Sequence, residues 1–161
     1  MSLEPLVADL ADALRGAGLR MTTAESCTGG LIAAACTAVA GSSDWFERGF
    51  VTYSNAAKTE QLGVNALLIA QHGAVSEPVV RAMAEGALLH STAQLAVAVT
   101  GIAGPGGGSA DKPVGLVWLA IAQRDAATQA ERLQLSGDRA AVRAATVEIA
   151  LQRLLHRATA G

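Results

Sequence analysis

Leu95-Ala96-Val97-Ala98-Val99-Thr100 is apolar at odd and even positions alike and stops at Gly101. Successive side chains of a strand point to opposite faces, so a strand without a polar side needs an apolar partner on each face. This is the condition of a central strand covered by helices above and below. Gly115 to Ala122 repeats the pattern. The helices that such a sheet requires stand at both ends of the chain. Leu3, Leu6, Val7, Leu10 and Leu14 recur at helical spacing before Gly16 and Gly18, which end the run. Asp138 to His156 carries Ala144, Val147, Leu151, Leu154 and Leu155 on one stripe. Hydrophobic residues make up 51% of the chain and aromatic ones 3%, so the core is aliphatic and alanine-rich, which suits helices lying close on a sheet.

Between these segments, Arg20 to Glu25 reads as a strand, Leu31 to Val39 as a helix and Phe46 to Tyr53 as a second strand. Asn55 opens a helical turn that closes at Gly63, and a short helix through Leu67 to Gln71 stops at Gly73. Ser76 caps a further helix with Pro78 in its first turn. Thr128 to Leu135 alternates polar with apolar, as an edge strand does. Few residues separate it from the preceding strand, so the two pair antiparallel. Trp45 and Trp118 are expected in the core. With no repeat or linker, the 161 residues form one three-layer α/β/α sandwich with a mixed sheet, 1–161.

Several function classes are excluded at this stage. A net charge of −2 and a pI near 5.9 leave no basic footprint for nucleic acid. The longest small and apolar run, Gly29 to Gly41, falls short of the roughly 20 residues of a membrane helix. Glu4 and Asp9 stand where a signal peptide carries cations. Cys27 and Cys36 lie on one turn and helix, where a disulfide is not expected, and a cytosolic location follows. His72, His90 and His156 have no ligand spacing, so neither a metal site nor a Ser-His-Asp triad is expected.

Four segments can carry chemistry. In Thr22-Thr23-Ala24-Glu25-Ser26-Cys27-Thr28-Gly29-Gly30 a strand runs into a turn that opens a helix, placing Ser26 beside the helix's unpaired first N–H groups. That end of the helix favours an anion or a developing oxyanion. Cys27 is either a second nucleophile or a packing residue, and Glu25 either orients the turn or accepts a hydrogen bond. Gly101-Ile102-Ala103-Gly104-Pro105-Gly106-Gly107-Gly108-Ser109 lies beyond a buried strand and is either a flexible loop or an anion nest. In Tyr53-Ser54-Asn55-Ala56-Ala57-Lys58 the lysine is either a solvated charge or, desolvated beside a serine, a general base. Arg139 and Arg143 sit at a helix start, where cations oppose the dipole. Either Asp138 pairs with Arg139, or a bound phosphate answers both arginines.

Taken in order, Thr23-Ala24-Glu25-Ser26-Cys27-Thr28-Gly29-Gly30, Gly49 to Asn55 with Lys58, His72-Gly73-Ala74-Val75-Ser76, Gly101 to Pro105, Lys112-Pro113-Val114-Gly115 and Ser136-Gly137-Asp138-Arg139 closely resemble the CinA C-terminal domain family, the nicotinamide-nucleotide amidases. The resemblance spans nearly the whole chain. It implies hydrolysis of nicotinamide mononucleotide (NMN) to nicotinate mononucleotide and ammonia, without metal or cofactor. Ser26 is then the nucleophile and Lys58 its base, with Tyr53 and Thr100 completing the polar network. At Thr100 the family often has serine, which keeps the hydroxyl. Thr28, Gly29, Gly30, Asn55, Gly101, Gly104, Arg139 and Arg143 are the expected substrate-binding set, with Arg143 preferred over Arg139 for the phosphate. The oxyanion falls to backbone N–H groups of the Ser26 turn or of the 101–108 loop. Many family members carry a further N-terminal domain, and this chain is expected to be a stand-alone form, with a homodimer as its expected assembly. The rival expectations are a non-enzymatic partner in competence or DNA damage, as the family's historical name suggests, and an amidase for another nucleotide-like carboxamide.

Overall fold

The computed structural model describes residues 2–160. In chain order the elements are α1 (Glu4–Ala17), β1 (Met21–Glu25), α2 (Leu31–Thr37), a 3-10 turn (Ser42–Asp44), β2 (Phe46–Val51), α3 (Asn55–Leu62), α4 (Ala66–His72), α5 (Glu77–Leu89), β3 (Leu95–Gly101), β4 (Leu116–Gln123), β5 (Gln129–Gln134) and α6 (Arg139–Thr159). The strands form one sheet in the order β2-β1-β3-β4-β5. Both neighbours of β1 run parallel to it, and the last two pairings are antiparallel.

The two-sided strands divide the core as their period of two requires. Leu95, Val97, Val99, Leu119 and Ile121 face a layer made of α1, α2 and α6. Ala96, Ala98, Ala120 and Ala122 face the opposite layer, with Leu62 of α3, Ile69 of α4 and the buried side of α5. Small side chains on that face let α5 lie close to the sheet. Close packing recurs where α5 meets the end of α3: a Cβ on Gly86 would collide with the Leu62 carbonyl oxygen.

The chain leaves β1 for β2 on one side and later returns to β3 on the other. The carboxyl ends of β1 and β3 therefore flank a topological switch point, where open α/β sheets hold their ligands. Ser26, Thr52-Tyr53 and Thr100-Gly101 all fall at this edge.

Some local expectations are revised. Gly16 lies within α1, and only Gly18, at φ 68°, ends it by donating to Leu14 and Arg15 carbonyls. Ser76 occupies the cap position of α5, but its hydroxyl donates to Gly73 O at 2.7 Å instead of accepting from the helix. Trp45 is fully buried, whereas Trp118, on the face of Ala120 and Ala122, is covered only in part. The two cysteines are buried and unbridged. Among the described residues no helix is long and apolar enough to cross a membrane.

Candidate active site

Ser26 continues β1 by one residue, its N–H donating to Val99 O at 3.1 Å. The chain then turns sharply through Gly29 (φ 59°) and Gly30 (φ 107°), a left-handed pair that only glycine adopts without strain, into α2. Glu25, fully buried, holds this turn from behind: its carboxylate accepts from Thr28 Oγ1 (2.5 Å), Ile32 N (2.8 Å) and Ala33 N (3.0 Å). The expectation that the start of α2 receives an anion is thereby overturned, because Glu25 already occupies those donors. The Thr28 hydroxyl is engaged with Glu25 as well.

Lys58 is brought to Ser26 by the pairing of β1 with β2 and by a helix cap. Glu25 pairs with Val51, so β2 ends level with Ser26. Ser54 then accepts from Ala57 N at 3.0 Å and starts α3, whose fourth residue, Lys58, is 1% exposed. Its Nζ donates to Thr52 O (2.7 Å) and Tyr53 O (3.1 Å) and lies 3.0 Å from Ser26 Oγ. Burial lowers its pKa from 10.5 to about 8, opposed only weakly by the neighbouring Cys27. A neutral amine has two N–H bonds and one lone pair. With two carbonyls taking the N–H bonds, the lone pair is left for the Ser26 hydroxyl. This is not a solvated lysine.

These groups line a cleft of about 230 Å³, which also takes in Tyr53, Thr100, Gly101 and Arg139. Tyr53 is 63% exposed; its carbonyl serves Lys58, while its phenol oxygen at the rim accepts from Arg139 Nη2 at 3.3 Å. The buried Thr100 hydroxyl donates to Ala74 O at 3.0 Å, fastening the 73–76 segment to the end of β3. Gly104 lends its carbonyl to Arg139 Nη1 at 2.9 Å. Broader clefts of about 510 Å³ along β5 and about 380 Å³ beside α3 bring no nucleophile against a base.

The two arginines are used differently from the sequence expectation. Asp138 does not pair with Arg139; it caps α6 by accepting from Ala141 N at 2.9 Å, and Arg139 faces the cleft. Arg143, one turn on, lies behind the Ser26 turn, with Nε donating to Cys27 O (3.1 Å) and Nη2 to Thr28 O (3.3 Å). The preference for Arg143 at a phosphate therefore does not match its position. Asn55 borders the cleft beside α3 instead of the one at Ser26, and Thr28, Gly29 and Gly30 stand in the turn outside the cleft lining. Burial pushes the Cys27 thiol up to about 11, leaving it a neutral neighbour of the serine. Ala74, Val75 and Ala103 complete the wall, and residue type could not have marked them, since they contribute surface alone. Among the described residues no three His, Cys, Asp or Glu side chains converge as metal ligands do.

A buried amine against a serine at the switch point of an α/β sheet has the equipment of a hydrolase that works without histidine. The profile of the CinA C-terminal domain matches residues 3–158, and the chain belongs to that family. It is 56% identical over 154 residues to a protein of Pseudomonas putida named nicotinamide-nucleotide amidohydrolase PncC, covering 96% of each chain. A protein of the same name from Enterobacter agglomerans is 54% identical over 153 residues, 95% of this chain and 93% of that one. The fold superposes on the crystal structure of the competence/damage inducible protein CihA of Agrobacterium tumefaciens with a TM-score of 0.93 at 49% identity, covering 96% and 94% of the two chains.

Proposed function

We propose that this chain hydrolyses the carboxamide of NMN, giving nicotinate mononucleotide and ammonia through an acyl-enzyme on Ser26. The observation that carries the mechanism is the 3.0 Å contact between Ser26 Oγ and the buried Lys58 Nζ, whose two other partners are both acceptors. The names of the relatives support the substrate. An amide is a weak electrophile and ammonia a poor leaving group, so nucleophile, proton carrier and oxyanion support are all needed.

Neutral Lys58 takes the Ser26 proton as Oγ adds to the carboxamide carbon. The tetrahedral oxyanion collapses, the C–N bond breaks, and Lys58 passes its proton to the leaving nitrogen. Water, deprotonated by the same amine, then cleaves the ester, and the proton returns to Ser26. A cleft of about 230 Å³ is below the roughly 300–1,000 Å³ of a pocket enclosing a whole ligand. It takes the pyridine ring, while ribose and phosphate run out over the rim toward Tyr53 and Arg139. Arg139 is the phosphate ligand in this scheme, because it is the guanidinium that faces the cleft.

Ammonia release from NMN, nicotinamide riboside and nicotinamide by wild type and Ser26→Ala tests the proposal. Release from NMN far above the other two, abolished in a folded Ser26→Ala variant, is the expected result. Another carboxamide turned over faster than NMN would move the substrate assignment. No release from any carboxamide would favour a non-enzymatic role.

A further inference from the structure

We infer that Arg143 is a positioning residue: it holds the Cys27–Thr28 peptide so that the turn after Ser26 keeps the N–H of Cys27, which lines the cleft, presented to the oxyanion. The inference rests on the amidase reading above for its natural substrate, and on the geometry of the turn for everything else.

The turn's N–H groups can be followed one by one. Gly29 N donates to Ser26 O and Leu31 N to Thr28 O, both at 3.1 Å. Ile32 N and Ala33 N go to Glu25. Among the described residues, no other residue supplies an acceptor to the N–H of Cys27 or Thr28, and the Cys27 N–H has only its own thiol beside it. These are the first two amides after the nucleophile, and the amide directly after an attacking serine is a recurrent oxyanion donor.

Arg143 fixes the direction of the turn. Cys27 C=O and Thr28 N–H belong to one planar trans peptide and point opposite ways. Arg143 reaches the turn from α6, which packs on one face of the sheet, and Lys58 reaches it from α3 on the other. A Cys27 carbonyl held toward Arg143 therefore keeps Cys27, the residue of this turn that lines the cleft beside Ser26 and Lys58, from rotating, while Thr28 stays buried outside the lining. The second bond, to Thr28 O, stops the next peptide from rotating about Gly29 and Gly30, the two residues best able to let it flip. Lysine cannot reproduce this, since a single ammonium does not span two carbonyls in the planar fork of arginine.

The experiment compares Arg143→Ala and Arg143→Lys with wild type in two assays. The first is steady-state ammonia release from NMN. The second is the rate at which a fluorophosphonate labels Ser26, in which Oγ displaces fluoride from phosphorus, Lys58 takes the proton, and the phosphonate oxygen occupies the oxyanion position. We expect kcat to fall about 10- to 100-fold in Arg143→Ala with KM within about twofold, since a misdirected donor acts on the transition state alone. Labelling should slow by a similar factor. Guanidinium ion, and not an equal concentration of sodium chloride, should restore part of both rates, and Arg143→Lys should fall between. A raised KM at unchanged kcat would make Arg143 a substrate ligand and overturn the inference, as would labelling at the wild-type rate. If Arg143→Ala does not fold, the Lys variant decides on the same criteria. A wild type that labels at Ser26 but releases no ammonia from NMN would remove the substrate while the labelling comparison still judged Arg143. A wild type that does neither overturns both.

Discussion

Replacing Lys58 with arginine keeps a cation on α3 while removing the property on which the proposed chemistry depends. With a pKa of about 8, roughly a quarter of the Lys58 amine is neutral at pH 7.5, against about 0.1% for a lysine at 10.5. Burial thus enlarges the reactive fraction about 200-fold at that pH. Arginine, with a pKa above about 12, offers essentially none. Loss of a general base costs about 10²–10⁴ in rate, so Lys58→Arg should fail nearly as badly as Lys58→Ala. In wild type, kcat/KM for ammonia release should rise tenfold per pH unit below about 8 and level off above it. The same shift has a stability consequence of determinate sign. Between pH 8 and 10.5 the unfolded chain holds a proton on Lys58 that the folded protein has lost, so stability contributed by this group rises with pH across that window. The rise is about 3 kcal/mol, and the burial penalty is fully present below pH 8. Chemical denaturation of wild type and Lys58→Met at pH 7.5 and 10.5 should show the difference between the two proteins change by about that amount in favour of wild type. Activity in Lys58→Arg within tenfold of wild type, or a pH–rate limb near 10, would refute the base role.

Cys27→Ser should keep kcat within a few-fold, because a thiol pushed up to about 11 has no share in the chemistry; a dead variant in the ammonia assay would contradict this. Arg139→Ala should raise KM for NMN about 10- to 100-fold while hardly affecting nicotinamide riboside, the loss of one charge-assisted phosphate contact. Equal effects on both substrates would remove Arg139 from the phosphate. Gly86→Ala should cost about 1–3 kcal/mol by forcing α5 off the Leu62 carbonyl, seen as a Tm drop of about 2–12 °C with kcat nearly unchanged.

The fold was legible because its determinants are periodic. The two-sided apolar run of β3, the stripe of α6 and the alternation of β5 each state their surroundings within a few residues. The contact between Ser26 and Lys58 is not written locally. It depends on β2 pairing parallel to β1 with Val51 opposite Glu25, and on Ser54 starting α3 where it does. Telling Arg139 from Arg143 needed the rotation of α6 about its axis relative to a turn more than a hundred residues earlier, which no pattern in α6 records. The anion expected at the start of α2 was sought in a ligand, whereas it is Glu25, supplied by the preceding strand. The sequence places Glu25 at the turn; only packing shows that it is buried and what it holds.

The segment 102–114 joins β3 to β4 and, through Ala103, also walls the cleft. Its ends are pinned by Ile102 N to Leu116 O at 2.9 Å and Gly115 N to Ile102 O at 2.7 Å. Beyond those pins the strand partners run unbroken from Gly101 and Val117 to Leu95 and Gln123. A residue inserted or deleted between Ala103 and Val114 therefore shifts no strand, whereas one placed in β1 or β2 would part Ser26 from Lys58. Bond-making thus depends on the lattice of the sheet, to which this span of chain adds only the Ala103 wall. The length of that span is therefore free of the geometry that holds Ser26 against Lys58.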